Sequence, residues 1–97
     1  MLLHTVSKSP NSSDALSSCL RAALADSTVL LIEDGVYAAV IGASMLDTPR
    51  NPPRYCALRA DIQARGLDAL IRADVTLVDY TDFVELAAQA HAVQSWY

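Results

Sequence analysis

The stretch Val29–Met45, VLLIEDGVYAAVIGASM, limits the folds open to this chain more than any other. An apolar strand breaks at an acidic turn, Glu33-Asp34-Gly35, into a run from about Val36 that reads as a helix. Val36, Tyr37, Ala38, Ala39, Val40 and Ile41 are consecutive, so a helix built from them is apolar nearly all round. A surface helix of a globular protein keeps one polar face for water. In a small domain one side of this helix lies on a sheet and the opposite side stays wet. A partner subunit is the expected cover. The competing expectation is a short helix wedged under a loop of its own chain.

The rest of the chain alternates strands with helices. Leu2–Val6 reads as a first strand with His4 inside it, and Ser7–Ser13 as a loop broken by Pro10. Ser13 or Asp14 caps a helix whose Leu16, Leu20, Ala23 and Leu24 recur at helical spacing. Thr28–Ile32 is an unbroken apolar run, as expected of a strand buried on both faces of a parallel sheet. After the Val36 segment comes the proline-rich loop Asp47–Pro53, then a third strand at Arg54–Leu58. Ala60–Arg65 is a short helix stopped by Gly66, and Val75–Val78 is a fourth strand. Asp82–His91 is helical, with Phe83, Leu86, Ala87 and Ala90 on one stripe, and Val93–Tyr97 is a tail or an edge strand. The order β-α-β-α-β-α-β-α predicts an α/β fold: a single small Rossmann-like layer, a mostly parallel sheet with helices on both faces. Residues 1–97 make one domain, with no room for a second.

Charge and cysteine usage exclude several classes. The net charge is −4, and the seven Lys and Arg are scattered rather than clustered. Direct binding to nucleic-acid phosphates is not expected, because it takes clustered cations. No apolar run approaches a membrane span, and MLLHTVSKSP lacks the parts of a secretory signal, so the expected location is cytoplasmic. A reducing cytosol disfavours a disulfide between Cys19 and Cys56. Neither belongs to a CxxC pair, and His4 and His91 supply no ligand spacing, so no metal site is expected. Loops SKSP, EDG and DYTD follow the first, second and fourth strands. They lack GxGxxG, and two of them are acidic, which speaks against a nucleotide cofactor.

Cys19 holds the most chemical promise. It lies early in the first helix on the border of the apolar stripe, with Arg21 and Lys8 nearby in sequence as thiolate stabilisers. A thiolate is the form that attacks sulfane sulfur, which makes Cys19 a candidate persulfide carrier. The plainer reading is a small thiol used for packing. Cys56, central in a strand, reads as core, and His4 as a satisfied core or strand-end histidine. Asp34, Asp79 and Asp82 form either an acid/base cluster or a set of caps and turn residues. Trp96 and Tyr97 either pack on their own domain or anchor a partner.

LHTVSKSP (Leu3–Pro10), LLIEDGVYAA (Leu30–Ala39), ALRADIQARGL (Ala57–Leu67), VDYTDFVEL (Val78–Leu86) and VQSWY (Val93–Tyr97) together resemble the TusB/DsrH family, in that family's order and from end to end. The resemblance implies a DsrE/DsrF/DsrH-like fold and a subunit of a cytoplasmic sulfur-relay complex. In that family the protein joins TusC/DsrF-type and TusD/DsrE-type subunits in a heterohexamer containing two of each. One branch passes persulfide sulfur from TusA through the TusD-type subunit to TusE, toward 2-thiolation of the tRNA wobble uridine. The other serves sulfur oxidation and hands sulfur to DsrC. The best-supported sulfur-carrying cysteine of both branches belongs to the TusD/DsrE subunit, which implies an accessory role here. Cys19 matches a first-helix cysteine of DsrH-type and some TusB-type members.

Overall fold

Strands β1 (Leu2–Val6), β2 (Thr28–Leu31), β3 (Arg54–Leu58) and β4 (Val75–Val78) fall on the four apolar runs. The computed structural model, which describes Met1–Tyr97, adds β5 (Ala92–Trp96) from the C-terminal tail. All four neighbouring pairs are parallel, and the sheet runs β4-β3-β2-β1-β5. Strand β2 is central and buried throughout, which accounts for its lack of charged residues on either face.

The strand order decides which face each connection covers. From β1 to β4 the chain steps one strand at a time in one direction, and right-handed crossovers then all fall on one face. Helix α1 (Ala15–Ala22), the 3-10 segments at Glu33–Ala39 and Met45–Asp47, and α2 (Arg59–Ala64) pack there. They bury Leu16, Leu20, Val36, Leu46 and Ile62 against Val6, Val29, Leu31 and Tyr55. The last crossover travels back over the sheet to reach the far side of β1, which puts α3 (Tyr80–Gln89) on the other face. There Phe83, Leu86, Ala87 and Ala90 cover Leu3, Leu30, Cys56, Leu58 and Val78.

The helix ends differ in how they are held. Asp14 occupies the N-cap position of α1 without bonding through its side chain; Ser13 Oγ instead accepts from the Ala15 N–H at 3.1 Å. Helix α3 begins in a reciprocal capping box between Asp79 and Asp82, at 2.8 and 3.1 Å. Gly66 ends α2 at φ +64, the left-handed conformation that a residue without Cβ adopts freely.

The Val36 segment departs from expectation. It is no α-helix: Glu33–Ala39 winds as a 3-10 segment, and Val40 leaves it to bridge antiparallel to Ile71. Near its start a Cβ on Gly35 would clash with the Val6 carbonyl oxygen, so the backbone there lies pressed against the end of β1, where the Ile32 N–H also donates to the Val6 carbonyl at 3.0 Å. Its apolar side chains are covered by their own chain: Val36, Ala38 and Ala39 are fully buried in the cluster with Leu46, Tyr55 and Ile62. Only Tyr37 and Ile41 stay exposed among the large residues. The wedge under a loop is the arrangement found, and no partner subunit is required to cover most of the segment.

That loop is stapled to the sheet. The Tyr55 hydroxyl donates to the Leu46 carbonyl at 2.9 Å in a buried bond. The Arg72 guanidinium donates to Asp47 at 2.6 Å, to Asp74 at 2.9 Å and to the Ala43 carbonyl at 3.0 Å.

Candidate functional site

Cys19 lies in the second turn of α1 with its side chain turned into the cluster shared with Val6, Val29 and Leu31. It is 0% exposed, which corrects the expectation of a border position with reachable sulfur. Burial pushes its thiol pKa up to about 12, so the neutral form holds near neutral pH. The expected cations play no part. Arg21 donates to Ser18 at 3.2 Å, and neither it nor Lys8 contributes to the Cys19 shift. Two positions along a helix is a rotation of about 200°, which points Arg21 away from the residue it was expected to stabilise.

Cys56 is equally buried but on the α3 face, where burial again raises its thiol pKa. The two thiols are free and lie on opposite faces of one sheet, which excludes a disulfide between them. Neither cysteine lines a surface crevice.

The acidic residues are not brought together as one site. Asp34 pairs with Arg65, which donates from Nε at 3.1 Å and from Nη2 at 2.9 Å. Asp61 accepts from the Glu33 N–H at 2.7 Å, holding the acidic turn to α2. Asp79 and Asp82 cap α3. Local backbone and ion-pair duties therefore account for each carboxylate. No three His, Cys, Asp or Glu side chains converge in a way that could hold a metal ion.

Parallel α/β sheets bind ligands outside the carboxyl ends of their strands. Here a crevice of about 300 Å³ opens at the ends of β1, β2 and β5, lined by Ser7, Lys8, Glu33, Ser95 and Trp96 among others. It holds one cation and one carboxylate but no nucleophilic thiol. Its lining residue Trp96 belongs to a pair that local sequence did not show. The Trp96 indole N–H donates to His4 Nδ1 at 3.1 Å across 92 positions of sequence. The rings stand 6.1 Å apart, tilted by 41°. His4 is buried, and burial lowers its pKa. Its Nε2 has no hydrogen-bond partner, so the histidine expected to be satisfied is satisfied at one nitrogen only. Trp96 packs on its own domain, whereas Tyr97 is largely exposed. The parallel β1–β5 register carried the missed signal, because it sets Gln94 beside His4 and brings Trp96 to the end of the same face. That pairing is invisible until the tail is known to be a strand.

Known proteins with this architecture can now be set beside it. Residues 8–93 match the family model described as DsrH like protein. Protein TusB of Escherichia coli K12 is 41% identical over 96 residues, covering 98% of this chain and 100% of that protein. Protein TusB of Enterobacter sp. strain 638 is likewise 41% identical over the same shares. Among solved structures, the ychN protein of E. coli superposes with a TM-score of 0.79 at 18% identity, covering 97% of each chain. Protein Tm0979 of Thermotoga maritima superposes at 0.68 and 25% identity, covering 91% of this chain and 92% of that one. The two structures share the α/β sheet, and the full-length match to TusB carries the lineage: this chain belongs to the DsrH family, alongside TusB.

Proposed function

We propose that this chain is an accessory subunit of a cytoplasmic sulfur-relay complex, assembled with TusC/DsrF-type and TusD/DsrE-type subunits as a heterohexamer. The complex passes persulfide sulfur to a TusE/DsrC-like acceptor, toward 2-thiolation of the tRNA wobble uridine. Family membership supports the relay, and end-to-end identity with TusB supports the tRNA branch. The observation that carries the accessory role is the burial of Cys19. A persulfide carrier exchanges sulfur by thiolate attack, and a buried neutral thiol neither ionises readily nor meets a donor. The acidic balance fits contact with tRNA through partners rather than directly. No helix is long and apolar enough to cross a membrane.

Co-expression with TusC- and TusD-type partners tests the assembly: the three chains are expected to co-purify. Failure to associate under any condition overturns it. A Cys19→Ser strain is expected to keep its wobble-uridine thiolation, provided the variant folds.

A second reading gives Cys19 a role in persulfide transfer to a DsrC-like protein, in the sulfur-oxidation branch. Its support is the match to the DsrH family model together with a thiol in α1. After incubation of the assembled complex with a sulfur donor, that reading expects a mass gain of one sulfur atom at Cys19. An unmodified Cys19 beside a loaded partner cysteine removes it.

A further inference from the structure

We propose that the His4–Trp96 hydrogen bond is an acid-sensitive latch that keeps the end of β5 on the sheet. Strand β5 is an edge strand, paired only with β1, and its residues before Trp96 are exposed. Trp96 is its one side chain packed into the larger core cluster. The polar part of that anchorage on this face is the indole N–H donated to His4 Nδ1. An indole only donates, so Nδ1 has to accept, which places the ring proton on Nε2. A second proton can go only to Nδ1. Two N–H groups would then face each other across the present bond, and the indole would lose its partner. The imidazolium would also be left buried with both donors unpaired, since Nε2 has no partner already. Release of Trp96 and opening of the end of β5 lets water reach both.

The surroundings leave His4 as the group that titrates. Strand β2 sets Val29 beside it and β5 sets Gln94 and Trp96. From α1 the buried ionisable group is the Cys19 thiol, which stays neutral, while Asp14 and Arg21 at the ends of that helix are exposed. Lys8, Glu33 and Tyr97 line the crevice beside Trp96. None of these charges contributes to the His4 shift, whose cause is burial. The direction is downward, so the neutral, latched form is favoured from high pH down through the ordinary histidine value of 6.5, and unlatching belongs below it. The other histidine, His91, lies at the opposite end of the β1–β5 pair, where its Nδ1 is 2.7 Å from the Met1 nitrogen.

Trp96 is the single tryptophan, so its fluorescence reports the latch directly. In the full chain, lowering the pH from about 8 to about 5 is expected to red-shift the emission in a one-proton step, with a midpoint below the ordinary histidine value of 6.5. His4→Gln supplies an amide oxygen that accepts the indole N–H without titrating, and its emission is expected to stay constant. His91→Gln is expected to keep the wild-type step. A flat wild-type titration overturns the latch, as does the same step in His4→Gln or its loss in His91→Gln. Amide exchange in Trp96→Phe gives an arm that does not depend on the glutamine variant folding. After correction for intrinsic rates, β5 protection in the wild type is expected to fall by up to about tenfold per pH unit below the His4 pKa, the slope of one proton. In Trp96→Phe the fall is expected to be clearly shallower, because no indole N–H is left to oppose a proton on His4 Nδ1. An equal fall in both proteins refutes the proposal.

Discussion

Two thiols, Cys19 and Cys56, occupy opposite faces of one sheet, and packing sets the chemistry of each. Replacing Cys19 by Ser puts a hydroxyl where no partner waits, at a cost of about 1–3 kcal/mol in stability. Urea unfolding should show this as a lowered midpoint with an unchanged slope. The raised pKa also sets a pH dependence. The unfolded thiol ionises near the ordinary cysteine value of 9.0 and the folded one at about 12, so this contribution is complete below pH 9 and is lost as pH rises through that window. In native protein both thiols are expected to resist alkylation at mildly alkaline pH and to react on unfolding, as counted by mass spectrometry. Sequence placed Cys56 in the core correctly but left Cys19 at a border. A central strand position buries both neighbours, whereas a helix position is read against a stripe whose edge is known only to within one residue's rotation.

Elements were most legible where the pattern was local. The third and fourth strands match their predicted bounds, and Gly66 ends α2 as expected. Asp79→Ala removes one arm of the α3 capping box and is expected to cost about 1 kcal/mol, read as a lowered thermal midpoint. Gly35→Ala is a harsher test, because its Cβ would clash with the Val6 carbonyl oxygen, a backbone atom held in the sheet. It is expected to give little folded protein, measured as soluble yield and circular dichroism. Gly35 lies against the end of β1 inside the 3-10 segment that stands where the sequence pattern predicts an α-helix.

At the scale of the molecule, Arg72 reaches back 25 and 29 positions to hold Asp47 and the Ala43 carbonyl while also pairing with neighbouring Asp74. Arg72→Ala is expected to cost about 1–2 kcal/mol, the carboxylates being half-exposed and screened. Limited proteolysis should then cut the loop before β3 faster than in wild type. Asp74 adds an acid limit: Arg72 lowers its pKa below 3.8, so its contribution is present above that value and is lost as pH falls through the lower one. A thermal denaturation series in acid, wild type against Asp74→Asn, reads this difference.

Hydrophobic period and turn chemistry, which depend on neighbours a few positions away, were enough to determine an α/β chain and its parallel strands, and the ordered strings between Leu3 and Tyr97 carried the family resemblance. The side of the sheet that takes α3, the docking of the tail as β5, the burial of Cys19 and the meeting of His4 with Trp96 were decided only in three dimensions. Each depends on strand order and register, which couple residues up to 92 positions apart, and no local pattern carries that coupling.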